Sequence, residues 1–291
     1  MIMLTTIIEQ GLIYTPLVLG AYIALGLMNC PDLSLASAFT FGAIMATKSL
    51  PFCNQLPSPL AAIAVISVAL IGGMIVGVTS SCLTRYGKFP HLLSSIITEG
   101  LFHGITQLVL GTSNSSLNGY NNPLQSSLLE GRPELPSFLI IGVVTTTIMY
   151  LFLKTPLGIS FSIYGQNQRF FKHHHISLSY VFILGITISN GLAGIAGYCF
   201  AQSNGFVDYS MGIGIPLFAI TALLLGKALQ ISRSLYSALI GLFLYFILQQ
   251  LLLQVHFNLN YFTCMQSCLL LLIVLTTSSG KNIFVQEGNR I

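Results

Sequence analysis

The run LAAIAVISVALIGGMIVGVTSSCL, residues 60–83, carries no charged side chain from end to end. A helix of that length rises about 36 Å, more than the roughly 30 Å of a bilayer's hydrocarbon core. Gly73 and Gly77 inside it form a G-x-x-x-G pair, the small-residue spacing that lets helix backbones approach in a bundle. Outward from this stretch the pattern recurs, with apolar windows at 7–28, 33–50, 91–111, 136–153, 179–201, 213–226, 234–255 and 261–278. Most approach the ~20 residues a span needs. The windows at 33–50 and 213–226 are short and read as tilted, partly inserted or broken helices lining an internal cavity. The expected fold is an all-α integral membrane protein. It is a bundle of 8–9 transmembrane helices, one or two of them broken or re-entrant, in a single domain over 1–291. The first window lacks a basic flank and a small-residue cleavage site, so it is expected to stay in the mature protein.

Composition agrees. Of 291 residues, 54% are hydrophobic and 6% charged, against about 25% charged in a soluble domain. So few charges cannot cover a soluble surface, and membrane lipid is the implied solvent over most of the chain. A net charge of +4, scattered along the sequence, excludes a nucleic-acid partner and reads instead as topology. Nine of the eleven Lys and Arg (Arg85, Lys88, Lys154, Arg169, Lys172, Lys227, Arg233, Lys281 and Arg290) fall in connectors of one side and the tail. Only Lys48 and Arg132 fall on the other. The positive-inside rule therefore puts 84–90, 154–178, 227–233 and the C-terminus in the cytoplasm. The six cysteines show no C-x-x-C spacing and read as small apolar fillers.

Chemistry-bearing motifs are sparse. The sequence has no G-x-x-x-x-G-K-[ST], no H-E-x-x-H and no G-x-S-x-G, so it binds no ATP by a P-loop and shows no metal or catalytic signature. His173, His174 and His175 are consecutive, a poor geometry for converging on one ion. Ionisable residues inside apolar windows weigh more, because burying each is costly. Glu99 and His103 are four apart and meet on one helix face. They read either as a proton relay or path lining, or as a mutually satisfied pair. Asp32 and Asp208 stand at the ends of apolar segments followed by small residues. Pathway lining suits both, and helix capping competes for Asp32.

Three stretches carry a family likeness: CPDLSLASAFTFGAIMA (30–46), FLKTPLGISFSIYGQNQRFF (152–171) and SNGLAGIAGYCFAQSNGFVDYSMGIG (189–214). Together they resemble the membrane permeases of bacterial ABC importers of the branched-chain amino acid and ribose type. Within that type the chain is similar to a subgroup linked to aromatic amino acid uptake. The likeness runs from about residue 9 to 278. It implies a multi-pass subunit of the cytoplasmic (inner) membrane that imports a small solute, an amino acid, by alternating access. It also implies a homodimer, an external solute-binding protein and a separate ATPase subunit that binds the ATP, leaving this chain without a cofactor. The segment matching the family's coupling helix supplies Gly165, Gln166, Asn167, Gln168, Arg169, Phe170 and Phe171 as the ATPase contact, with the two phenylalanines as apolar anchor. The candidate pathway comprises Asp32, Ser34, Phe39, Glu99, His103, Asn190, Asp208, Gly212 and Gly214. The connector lacks the acidic residues relatives carry there, and its histidines are additions. The alternative is a proton-coupled secondary transporter with Glu99 and His103 as its relay.

Overall fold

The computed structural model of the chain describes residues 2–53, 57–117, 124, 134–229, 235–254 and 262–278. Every apolar window coincides with a helix. In chain order these are α1 (Ile2–Ala21, continued by a π-helical turn, Tyr22–Leu27), α2 (Leu35–Cys53), α3 (Ser58–Arg85), α4 (His91–Leu110) and α5 (Leu135–Leu153). The short pair α6 (Pro156–Gln166) and α7 (Arg169–His173) follows, then α8 (Leu178–Asn204), α9 (Ile215–Ala228), α10 (Leu235–Gln254) and α11 (Phe262–Ser278). Six helices are long and apolar enough to cross a membrane: α1 with its π turn, α3, α4, α5, α8 and α10. The helix α9 and an apolar core of α11 (Gln266–Leu275) are shorter. Among the described residues the departure from helix is one antiparallel ribbon, β1 (Asn114–Ser116) against β2 (Phe206–Asp208).

Local chemistry sets the helix ends. Thr155 and Ser177 start α6 and α8, their hydroxyls accepting from Gly158 N and Tyr180 N, as N-caps do. Gly111 and Gly205 close α4 and α8 at φ of 73° and 74°, a left-handed conformation that glycine adopts without cost.

The helix α8 is the centre of the bundle, packed against α1, α2 and α3. Its glycines are the reason. A Cβ at Gly194 would collide with the Ala69 carbonyl of α3, and one at Gly197 with the Phe39 carbonyl of α2. From the other side, a Cβ at Gly73 would strike the Asn190 carbonyl, and at Gly77 it would stand 2.8 Å from that of Ile186. Both the GLAGIAG run and the G-x-x-x-G pair therefore serve backbone-to-backbone packing. Beside this block Tyr14, Phe39, Phe200, Phe218 and Phe246 form an aromatic core, their ring centroids 4.9 to 6.0 Å apart.

The charge-sorted connectors gather at opposite ends. At one end Asn29 donates to the Gly165 carbonyl at 2.9 Å. There Arg85 also donates to the Tyr164 hydroxyl, and its guanidinium lies 4.4 Å from the Phe182 ring centroid. Burial pushes the Tyr164 hydroxyl up to about 12, outweighing the opposing pull of Arg85. The other end carries the ribbon, which ties the exit of α4 to the exit of α8. Arg132, Arg233, Lys281, Arg290 and most of the long 112–135 connector lie outside the described residues.

Candidate translocation site

A cleft opens between the first turns of α2, the middle of α4 and the 209–214 turn that precedes α9. Ala36, Ser37 and Thr40 line it from α2, Glu99, His103 and Thr106 from α4, and Tyr209, Gly212 and Ile213 from the turn. The turn can enter because residue 212 is glycine: a Cβ there would collide with the Ala36 carbonyl and the Thr40 hydroxyl. Gly214, at φ 85°, then reverses the chain and caps α9. Ser37 Oγ donates to the Glu99 carbonyl at 2.9 Å, pinning the start of α2 to α4. The His103 ring meets Tyr209 edge-on at 5.4 Å.

Glu99 is half-buried and His103 exposed. Among the described residues no hydrogen bond or ion pair joins them, although they lie close enough to interact electrostatically. Thr106 Oγ1 is buried at the cleft without a hydrogen-bond partner. The cleft thus presents a carboxylate, an imidazole and the unpartnered Thr106 hydroxyl, beside the Ser37 and Thr40 hydroxyls that already donate to the Glu99 and Ala36 carbonyls. The same side of α4 continues with exposed Gln107. Gly100 and Gly104 lie beside it, with nothing within 4 Å of an added Cβ. Every other glycine within the six long helices meets a neighbour.

The remaining pathway candidates lie elsewhere. Asp32, Ser34 and Asn190 join one another in the interior, at 3%, 0% and 0% exposure. Asp32 Oδ1 accepts from Ser34 N at 3.0 Å and Ser34 Oγ at 2.6 Å, and Oδ2 accepts from Asn190 Nδ2 at 2.7 Å. Asn190 Nδ2 also reaches the Ile186 carbonyl at 3.0 Å. Asp32 therefore closes a turn before α2 and locks it to α8, the capping reading extended across the bundle. Phe39 belongs to the aromatic core, and Asp208 ends β2 with its carboxylate accepting from Ser210 N at 2.9 Å. Only Glu99, His103 and Gly212 of the expected set line the cleft. Ser37, Thr40, Thr106 and Tyr209 were not expected there. The helical spacing of Thr106, seven residues after Glu99, is the signal that marked its face.

The coupling segment also differs in detail. It is two helices with a break at Asn167, whose side chain accepts from Arg169 N at 3.1 Å. Gln166, Asn167, Gln168 and Arg169 form an exposed ridge. Phe171 is fully buried against Tyr164 and Phe170, so it anchors the segment to its own bundle and presents nothing to a partner. Phe170 is half-buried, with its ring centroid 4.2 Å from that of His174.

Comparison with known proteins agrees with this architecture. The chain is 28% identical over 244 residues to a tyrosine transport system permease protein of Clostridioides difficile, covering 82% of this chain and 79% of that one. It is 26% identical over 226 residues to an autoinducer 2 import system permease protein of Salmonella typhimurium, covering 77% and 62%. The solved PsaBC of Streptococcus pneumoniae, in complex with Fab, superposes with a TM-score of 0.54 at 13% identity over 94% of this chain and 91% of that chain, which speaks to the fold. Residues 3–274 match the model for the permease component of the branched-chain amino acid transport system. The chain therefore belongs to that family, the membrane permeases of ABC importers.

Proposed function

We propose that two copies of this chain form the membrane path of an amino-acid importer in the cytoplasmic (inner) membrane, with the α4 clefts facing each other. The carrying observation is the outward side of α4. Glu99, His103 and Gln107 would be costly against acyl chains, so this side meets water and protein. The unfilled positions at Gly100 and Gly104 suit close approach of a second helix. In this reading α2, α9 and α11 complete the eight or nine membrane helices, with α9 entering partway. The end bearing Arg85, Lys154 and Arg169 faces the cytoplasm, as does the C-terminus. The Gln166–Arg169 ridge meets the ATPase, and the ribbon end faces the external binding protein. A carboxylate and an imidazole among hydroxyls complement the ammonium and carboxylate of a zwitterion, and the tyrosine permease relative supports the same solute class.

The test is ATP-driven uptake in vesicles holding the full chain together with an ATPase subunit and a solute-binding protein of the same importer family. Labelled amino acids should accumulate only with ATP. Glu99→Gln should lower uptake about tenfold or more, the loss of one charge-assisted contact, while assembly with the ATPase persists. Uptake that needs no ATP and collapses with the proton gradient would instead make Glu99 and His103 the relay of a secondary transporter.

A further inference from the structure

Away from the cleft, a cavity of about 370 Å³ lies between the π-helical turn after α1, the end of α5, the surface helix α6 and the start of α10. Its size falls in the range of small-molecule sites. Leu27, Leu153 and Ile159 give it apolar walls, and Tyr22, which is buried, Tyr150, Tyr236 and one cation, Lys154, also line it. The Lys154 ammonium stands 4.3 Å from the centroid of the Tyr150 ring and makes no ion pair among the described residues.

Depth identifies the occupant. Tyr150 comes three residues before the end of α5, Tyr236 is the second residue of α10, and Lys154 follows directly on α5. Tyrosines and a lysine at helix ends mark the level of lipid headgroups. Beside the cavity Leu151, Leu157 and Ile159 are exposed, so its apolar side is continuous with surface that meets acyl chains. A soluble anion gains nothing from such walls, whereas a phospholipid uses both parts. We propose that this cavity binds an anionic phospholipid. The phosphate pairs with Lys154, the Ser162 hydroxyl donates to the headgroup, and an acyl chain lies along Leu153 and Ile159. Basic pockets between helices on the cytoplasmic side recognise acidic headgroups in this way. Because α6 forms one wall, the bound lipid would also brace the helix that leads to the Gln166–Arg169 ridge. The proposal needs only the bilayer and stands apart from the import reading.

Thermal unfolding of the purified full chain in detergent tests it, with dioleoylphosphatidylglycerol, dioleoylphosphatidylcholine or inorganic phosphate added. Phosphatidylglycerol should raise Tm by about 5 °C at saturation, the shift expected of a ligand that binds only the folded state. Native mass spectrometry should show it retained. The shift should vanish in Lys154→Gln, which removes the charge from an exposed side chain, and in Ser162→Trp, which fills the cavity while leaving Lys154 in place. An equal shift with phosphatidylcholine, an equal shift in Lys154→Gln, or the full shift from phosphate alone would each overturn the proposal. The last outcome would make this a free-anion site.

Discussion

Three donors converge on the carboxylate of Asp32: the amide and hydroxyl of Ser34 and the side-chain amide of Asn190. A buried carboxylate is tolerated when its lone pairs are satisfied, and here that satisfaction joins the entry of α2 to the middle of α8. Asn190→Ala would leave one carboxylate oxygen without its donor. We expect a loss of about 1–3 kcal/mol of stability, read as a lower Tm, with uptake per folded molecule unchanged because Asn190 does not line the cleft. A normal Tm with lost uptake would return Asn190 to the solute path. This residue also marks a limit of the sequence. That Asp32 and Asn190 are polar groups in apolar surroundings is visible in the chain. That they meet is not, because 158 positions separate them and only the packing of α2 on α8 brings them together.

Glycine placement separates the elements into those packed within the chain and those that look outward. Gly197 lies against the Phe39 carbonyl, whereas Gly104 has open space around it. Gly197→Ala should force α2 from α8 and lower Tm or abundance, by about 1–3 kcal/mol for overpacking. Gly104→Leu should leave the single chain's Tm unchanged or slightly raised, since leucine favours helix by about 0.8 kcal/mol or so over glycine, while cross-linking between copies falls. Cross-linking as strong as in the wild type would remove α4 from the dimer contact. Most elements were legible in advance, because long uninterrupted apolar runs dictate helices wherever the solvent is lipid. The fate of Phe170 and Phe171 was not. Neighbours in sequence, they part because α6 returns Tyr164 to the place where Phe171 packs, and no local pattern encodes that return.

On the scale of the whole molecule, charge and packing give the same division. The contacts of Asn29 with Gly165 and of Arg85 with Tyr164 gather one set of connectors, and the ribbon gathers another. Single cysteines placed in a cysteine-free background should report the two ends from opposite sides. Tyr86→Cys, exposed in the short 86–90 connector, should react with an impermeant maleimide only in inverted vesicles. Ser113→Cys, exposed before β1, should react only in intact cells. Reaction of both from one side would break the proposed orientation and with it the assignment of the ATPase-facing end. The proposed orientation rests on eleven basic residues, whereas the cleft was readable only in part. Glu99 and His103 announced themselves as charges in an apolar run. Ser37, Thr40 and Tyr209 are ordinary residues that matter because the 209–214 turn folds back against α2.

The glycine contacts among α2, α3 and α8 have a kinematic consequence. Backbones that touch leave no compressible side-chain layer between them, so these three helices are expected to move together as one body. The cleft has one wall on that body, at Ala36, Ser37 and Thr40, and its other walls on α4 and the 209–214 turn. On that expectation, a change in its width would come from movement of α4 and α9 relative to this body. The left-handed glycines Gly111, Gly205 and Gly214, at the ends of α4 and α8 and the start of α9, stand where such a swing would pivot.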